Sequence, residues 1–181
     1  MRIVIDLQGA QAGNRFRGIG RYTVSLVKAI VRNRGEHEII IALSGLFPET
    51  IDSIRNEFDG LLPQENIRVW SAPRSVNSLD SDNTWRRQSA ELVREAFLAS
   101  LKPDIVLVTS LFEGLGDDAV TSIGMLSSNI LTATILYDLI PFINRQPFLE
   151  NPVVEAWYEN KLDHLRRSDL LLAISESSRQ E

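Results

Sequence analysis

The tract Arg17-Gly18-Ile19-Gly20-Arg21-Tyr22 sets two glycines and two guanidiniums at the start of a helical pattern. Glycines let backbone N–H groups come close to an anion, and a helix N-terminus adds partial positive charge. The chemistry this suits is the holding of a phosphate. Three common phosphate-site patterns do not fit. A dinucleotide fingerprint has its loop directly after the strand, a third glycine where this chain has Thr23, and an acid at the end of the second strand, which here ends in Leu43-Ser44. Gly13 and Gly18 have P-loop spacing, but Ile19 stands where a lysine is required. A receiver-type phosphorylation site needs acids at strand ends, and the third strand ends in Trp70-Ser71.

The same region is basic. Residues 1–34 carry Arg2, Arg15, Arg17, Arg21, Lys28, Arg32 and Arg34 against Asp6 alone, a balance of +6 in a chain whose net charge is −5. An anionic ligand or surface at the first unit is the expectation. The acidic total argues against general nucleic-acid binding. His37 and His164 sit among charged neighbours and read as solvated positions. The chain lacks cysteine, which removes disulfides and thiolate metal sites and fits a reducing cytoplasm. Met1 leads straight into a strand pattern without a secretory h-region, and no apolar run approaches the ~18 residues of a membrane span.

Strand and helix patterns alternate along the 181 residues. Buried strands are expected at 2–7 and 38–43, further strands at 67–70, 104–109, 130–137 and 169–174, and helices at 20–34, 48–58, 84–101 and 152–167. Residues 8–19 read as a long glycine-bearing loop and 71–83 as an exposed loop. Residues 110–128 are ambiguous, with a short helix possible over 118–126. Trp85, Leu92, Val93, Ala96, Phe97 and Leu101 mark the apolar, core-facing side of the third helix. Continuous apolar strands joined by helices give an α/β class, a doubly wound, mostly parallel, Rossmann-like sheet. Ligands in such sheets bind at the strand carboxyl ends, here 7–20, 110–116, 137–141 and 175–178. The sequence halts at Glu181, one turn into a helix, which points to a missing second half.

Three tracts taken together are more specific than any one. Arg17-Gly18-Ile19-Gly20-Arg21-Tyr22, Tyr137-Asp138-Leu139-Ile140-Pro141 and Ile174-Ser175-Glu176-Ser177-Ser178 resemble the group 1 glycosyltransferases, the family 4 retaining enzymes of the GT-B fold. The resemblance covers essentially all 181 residues and only the family's N-terminal, acceptor-side domain. Within the family it is similar to bacterial mannosyltransferases that build O-antigen and other surface polysaccharides.

The resemblance implies a nucleotide-sugar donor such as GDP-mannose, bound by a C-terminal domain absent from this chain, and hexose transfer with retention of configuration. It implies no metal and no other cofactor. The donor pyrophosphate would meet Gly18 and Gly20, with Arg17 and Arg21 beside them. Tyr137 and Asp138 would be the catalytic pair, although many members have His-Asp there. A phenol, with a reference pKa near ~10, is a poor proton shuttle at neutral pH. Glu113, Ser175 and Glu176 are acceptor or cleft candidates. The acceptor would be a glycan, polyprenyl-linked, met at the inner face of the plasma membrane through basic surface and the Trp85-Arg86-Arg87 cluster. This half alone is expected to be inactive. A sugar-nucleotide epimerase of the same fold and a non-catalytic binding or regulatory module are the rival readings.

Overall fold

A computed structural model describes residues 1–126 and 130–180; the end of the ambiguous 110–128 segment and Glu181 lie outside the described residues. Six strands form one parallel sheet: β1 (Arg2–Asp6), β2 (Glu38–Ser44), β3 (Ile67–Trp70), β4 (Ile105–Val108), β5 (Leu131–Leu136) and β6 (Leu170–Ala173). Their spatial order is β3-β2-β1-β4-β5-β6. The order reverses between β1 and β4, which puts the crevice of a doubly wound sheet at the carboxyl ends of those two strands. Helices α1 (Gly18–Arg32), α2 (Pro48–Glu57), α3 (Thr84–Ser100), α4 (Ile140–Ile143), α5 (Arg145–Phe148), α6 (Pro152–Leu165) and α7 (Glu176–Gln180) complete the chain.

Period-two alternation splits the core into two layers. Ile5, Ile39 and Ile41 pack with Val27 and Val31 of α1 and Ile54 of α2. Val4, Ile40 and Val106 face the other way, toward Leu98 of α3 and Tyr158, Leu162 and Leu165 of α6. Each such side chain contributes roughly 1.5–3 kcal/mol on full burial. Helix α1 turns Gly20, Thr23, Val27 and Val31 inward at helical spacing. Beyond its end, Gly35 sits at φ +54°, a left-handed conformation that punctuates the helix at little steric cost.

Three expectations are corrected, and of the two readings open for 118–126 the irregular one holds. Trp85 is 65% exposed, and Leu92 and Val93 are exposed too. The buried face of α3 is Ala90, Glu91, Arg94 and Leu98, because charged partners wait beneath it. His164 is only 2% exposed, its Nδ1 lying 3.1 Å from both the N–H and the carbonyl of Ile123. The 71–83 loop buries Val76 and Asn83, since Val76 joins a third apolar cluster with Ala12, Trp70 and Val120 at the sheet's carboxyl edge. Residues 118–126 form no helix. Side chains take their backbone groups instead: Glu95 accepts from the N–H of Met125 and Leu126, and Gln8 accepts from that of Val120.

Burial pushes the His164 imidazole below its ordinary range, with the Lys161 and Arg167 charges adding to the effect. The unfolded chain therefore binds this proton more readily than the folded one. Stability from His164 is full above the unfolded value, about 6.5, and falls as pH drops below it. Chemical denaturation at pH 7.5 and 5.5 should show that loss, and a His164→Gln variant should lose less over the same interval. Equal losses in both proteins would exclude His164 as the source.

Candidate functional site

The base of the site is built from buried polar groups at the end of β1. Asp6 and Arg94 form an ion pair with both side chains 1% exposed. The Arg94 Nε donates to Asp6 Oδ2 at 2.7 Å, and its Nη1 donates to the Ser122 carbonyl at 2.9 Å. Gln8 gives its backbone N–H and its amide to the Asp6 carboxylate, and the same amide donates to the Val120 carbonyl. Gln11 ties the next turn to Ser44 and Thr50. The stretch 8–12 is thus a buried, short 3₁₀-bearing segment rather than a loose loop. At Gly9 a Cβ would lie 2.8 Å from Ser110 Cβ, so this backbone passes directly over the end of β4.

The two candidate phosphate glycines differ. A Cβ on Gly18 would meet nothing within 4 Å, whereas one on Gly20 would stand 2.2 Å from the Arg15 carbonyl oxygen. Gly20 is required by the loop's own backbone, and Gly18 leaves open space at the helix start. No side chain caps α1, and its first turn holds no acid. Arg17 and Arg21 are exposed. The basic balance of the first unit is partly met within the fold, through Arg2–Glu38, Arg15–Glu49 and Lys28–Glu57 pairs.

Three other strand ends converge on this loop. After β4, Ser110 Oγ donates to Glu113 Oε1 at 2.9 Å, and Asn14 Nδ2 reaches Glu113 Oε2 at 3.4 Å. Asp117 accepts from the Gly13 N–H at 2.7 Å, pinning the glycine loop to the β4 loop. After β5, the Tyr137 hydroxyl lies 3.0 Å from Thr23 Oγ1 of α1, and its ring meets Tyr22 edge-on at 5.8 Å. After β6, Ser178 Oγ donates to the Tyr137 carbonyl, while Ser175 Oγ accepts from the Ser178 N–H.

Two adjoining cavities open here. One, of about 270 Å³, is bordered by Ile19, Phe112, Tyr137, Asp138, Trp157 and Tyr158, among others. The other, of about 400 Å³, is bordered by Asn14, Arg17, Glu113, Asp117 and Trp157. Burial raises the Glu113 carboxyl to about 7 and the Tyr137 phenol to about 12. The phenol therefore stays protonated and can serve only as a hydrogen-bonding or packing group.

Arg17 and Glu113 thus share one cavity and Tyr137 and Asp138 the adjoining one, while Gly20 and Arg21 border a separate groove with Lys28, Glu49 and Glu57. Asp138 is exposed at the cavity rim, its Oδ1 3.3 Å from the Ile140 N–H, as in a loop-capping turn. Glu176 is exposed and paired with Arg179 of its own short helix, which holds its carboxyl below the usual range. The sequence reading missed Asp6, Gln8, Thr23, Arg94 and Lys161. Lys161 is fully buried, donates to Thr121 at 2.6 and 2.7 Å, and is lowered to about 8 by burial. A charged residue among apolar neighbours, such as Arg94 after Leu92-Val93, was the available signal. Its partner was 88 residues away.

No helix among the described residues is long and apolar enough to cross a membrane. No family model matches the chain. A serotype-specific mannosyltransferase, WbdA of Escherichia coli, is 36% identical over 182 residues, covering 100% of this chain and 22% of the relative. A second WbdA from the same species is 35% identical over 155 residues, 85% of this chain and 19% of that one. The chain therefore spans about a fifth of the length of the curated relatives it matches. Among solved structures, one described as a UDP-N-acetylglucosamine 2-epimerase from Listeria monocytogenes superposes with a TM-score of 0.58 at 14% identity, over 99% of this chain and 40% of that one. That likeness speaks for the fold alone. From end to end, the chain is a relative of one segment of bacterial mannosyltransferases, carried on a six-stranded Rossmann-like sheet.

Proposed function

We propose that the chain is the acceptor-side domain of a glycosyltransferase that moves mannose from a nucleotide-sugar, GDP-mannose, to a growing bacterial surface glycan with retention of configuration. The observation that carries this reading is the 36% identity to a mannosyltransferase along the whole chain. In this reading a second domain, outside residues 1–181, holds the nucleotide, and no metal takes part. The uncapped start of α1, with Gly18, Arg17 and Arg21, closes on the donor pyrophosphate; helix N-termini favour such anions. The Tyr137 ring walls the sugar site, with Thr23 fixing its hydroxyl, and Asp138 takes a sugar hydroxyl at the rim. Glu113 and the Ser175–Glu176 turn border the acceptor side. The work is cytoplasmic, on a polyprenyl-linked acceptor at the inner membrane face, where Trp85 and Arg86 make peripheral contact.

The test is transfer from radiolabelled GDP-mannose to a mannose-terminated glycan, by residues 1–181 and by the full-length protein. Transfer by the full-length protein alone is expected. Asp138→Asn in that protein should lower kcat by about tenfold or more, the range of ~1.5–3 kcal/mol for a hydrogen bond to a charged group. Turnover by residues 1–181 alone would contradict the division of labour. Conversion of a nucleotide-sugar to its epimer without transfer would replace this reading with that of an epimerase.

A further inference from the structure

We propose that the Glu113 carboxylate takes the proton from the attacking hydroxyl of the acceptor sugar, so that the acceptor-side domain supplies its own base. The proposal rests on the transferase reading and adds a role that reading does not assign. Glu113 is 4% exposed yet borders the 400 Å³ cavity together with Arg17 of the glycine loop. Its Oε1 is engaged by Ser110 at 2.9 Å, and among the described residues its Oε2 has only the long 3.4 Å contact from Asn14. An ionised carboxylate has about four lone-pair sites, so Oε2 keeps capacity to accept from an incoming hydroxyl. The loop is tied in place: the Ser78 N–H donates to the Gly114 carbonyl at 3.0 Å, and Thr121 Oγ1 donates to the Leu111 carbonyl at 2.6 Å.

The charges around the group suit the role. Asp117, on the same loop, opposes ionisation; Lys161 of α6 favours it, as do the hydrogen bonds from Ser110 and from Asn14 of the glycine loop. With burial, the balance sets the carboxyl near 7, so an ionised fraction is present at neutral pH and the proton can be both taken and released. In the step, the acceptor O–H bond breaks and its proton passes to Glu113. The acceptor oxygen bonds to the anomeric carbon of the donor on the face from which the phosphate departs, as retention requires. The bond from that carbon to the phosphate oxygen breaks, and its electron pair leaves with the nucleoside diphosphate.

The experiment compares the wild-type full-length protein with its Glu113→Gln variant, using GDP-mannose and methyl α-mannoside, from pH 5.5 to 9. Wild-type kcat should fall on the acid side with a midpoint near 7. In Glu113→Gln that limb should vanish and kcat at pH 7.5 should drop by about 10²–10⁴-fold, with the KM for GDP-mannose changed less than twofold. The melting temperature of the variant should exceed that of the wild type above pH 7. A carboxyl raised on folding contributes stability below its unfolded pKa, and that contribution is lost as pH rises through about 7. A variant that keeps kcat within threefold, or keeps the acid limb, overturns the assignment while leaving the transferase reading intact. A wild-type protein that transfers no sugar overturns both.

Discussion

Arg94→Ala is expected to lower the unfolding free energy by about 3–5 kcal/mol, the usual cost of removing one partner from a buried ion pair. For a domain of this size that corresponds to a fall in melting temperature of roughly 6–20 °C. The size follows from what is left behind. Asp6 would remain 1% exposed, holding a charge answered only by the amide and N–H of Gln8, and the Ser122 carbonyl would lose its Arg94 donor. Urea melts of Arg94→Ala, Asp6→Asn and the double variant measure this directly. The double variant should cost less than the two single losses combined, because no uncompensated charge stays buried. An Arg94→Ala protein within 1 kcal/mol of wild type would show that the pair does not carry the sheet's carboxyl edge. The site should suffer with the fold, since Gln8 begins the glycine loop and Ser122 lies in the segment that Gln8, Lys161 and Glu95 also hold.

The second large effect separates two glycines that look alike in the sequence. Gly18→Val should leave the melting temperature unchanged or slightly higher, because its Cβ meets open space and glycine is a poor helix residue. In the full-length protein it should cut turnover by about 10²–10³-fold, the scale seen when a preorganised backbone donor to developing negative charge is lost. Gly20→Val should act on the fold. Its Cβ would stand 2.2 Å from the Arg15 carbonyl oxygen and 2.5 Å from its carbonyl carbon, so backbone must move at a cost of about 1–3 kcal/mol. Thermal melts alongside kcat and KM for GDP-mannose distinguish the two. Wild-type turnover in Gly18→Val would remove the start of α1 from donor binding, whatever Gly20→Val does.

The layers are legible in the order of the amino acids. Six apolar runs, among them Ile39-Ile40-Ile41 and Val106-Leu107-Val108, alternate with helical spacings, and the bounds of all six strands and the four long helices fall within two residues of those expected. Local periodicity is enough for that where an element buries a face; β6 is the exception, with Leu170, Leu171 and Leu172 all exposed. The sequence also pointed to strand ends, and those at 7–20, 110–116 and 137–141 border the two cavities, while the 175–178 turn touches Tyr137 and borders neither. Which polar groups work for the fold and which face the cleft emerges when the chain is folded. Arg94, Lys161 and His164 carry charge or polarity that a linear reading assigns to solvent, but each finds a partner from a distant segment: Asp6, Thr121 and Ile123. Trp85, which reads as core, lies outside because Glu91 and Arg94 claim the inner face of α3. Glu176 is exposed and paired with Arg179 of its own helix, while Glu113, the least distinctive of the candidates in the sequence, is buried at the mouth of a cavity. Periodicity ranks a residue by its own hydrophobicity. Burial of a charge depends on a partner brought by the chain's return, and that is a property of the fold.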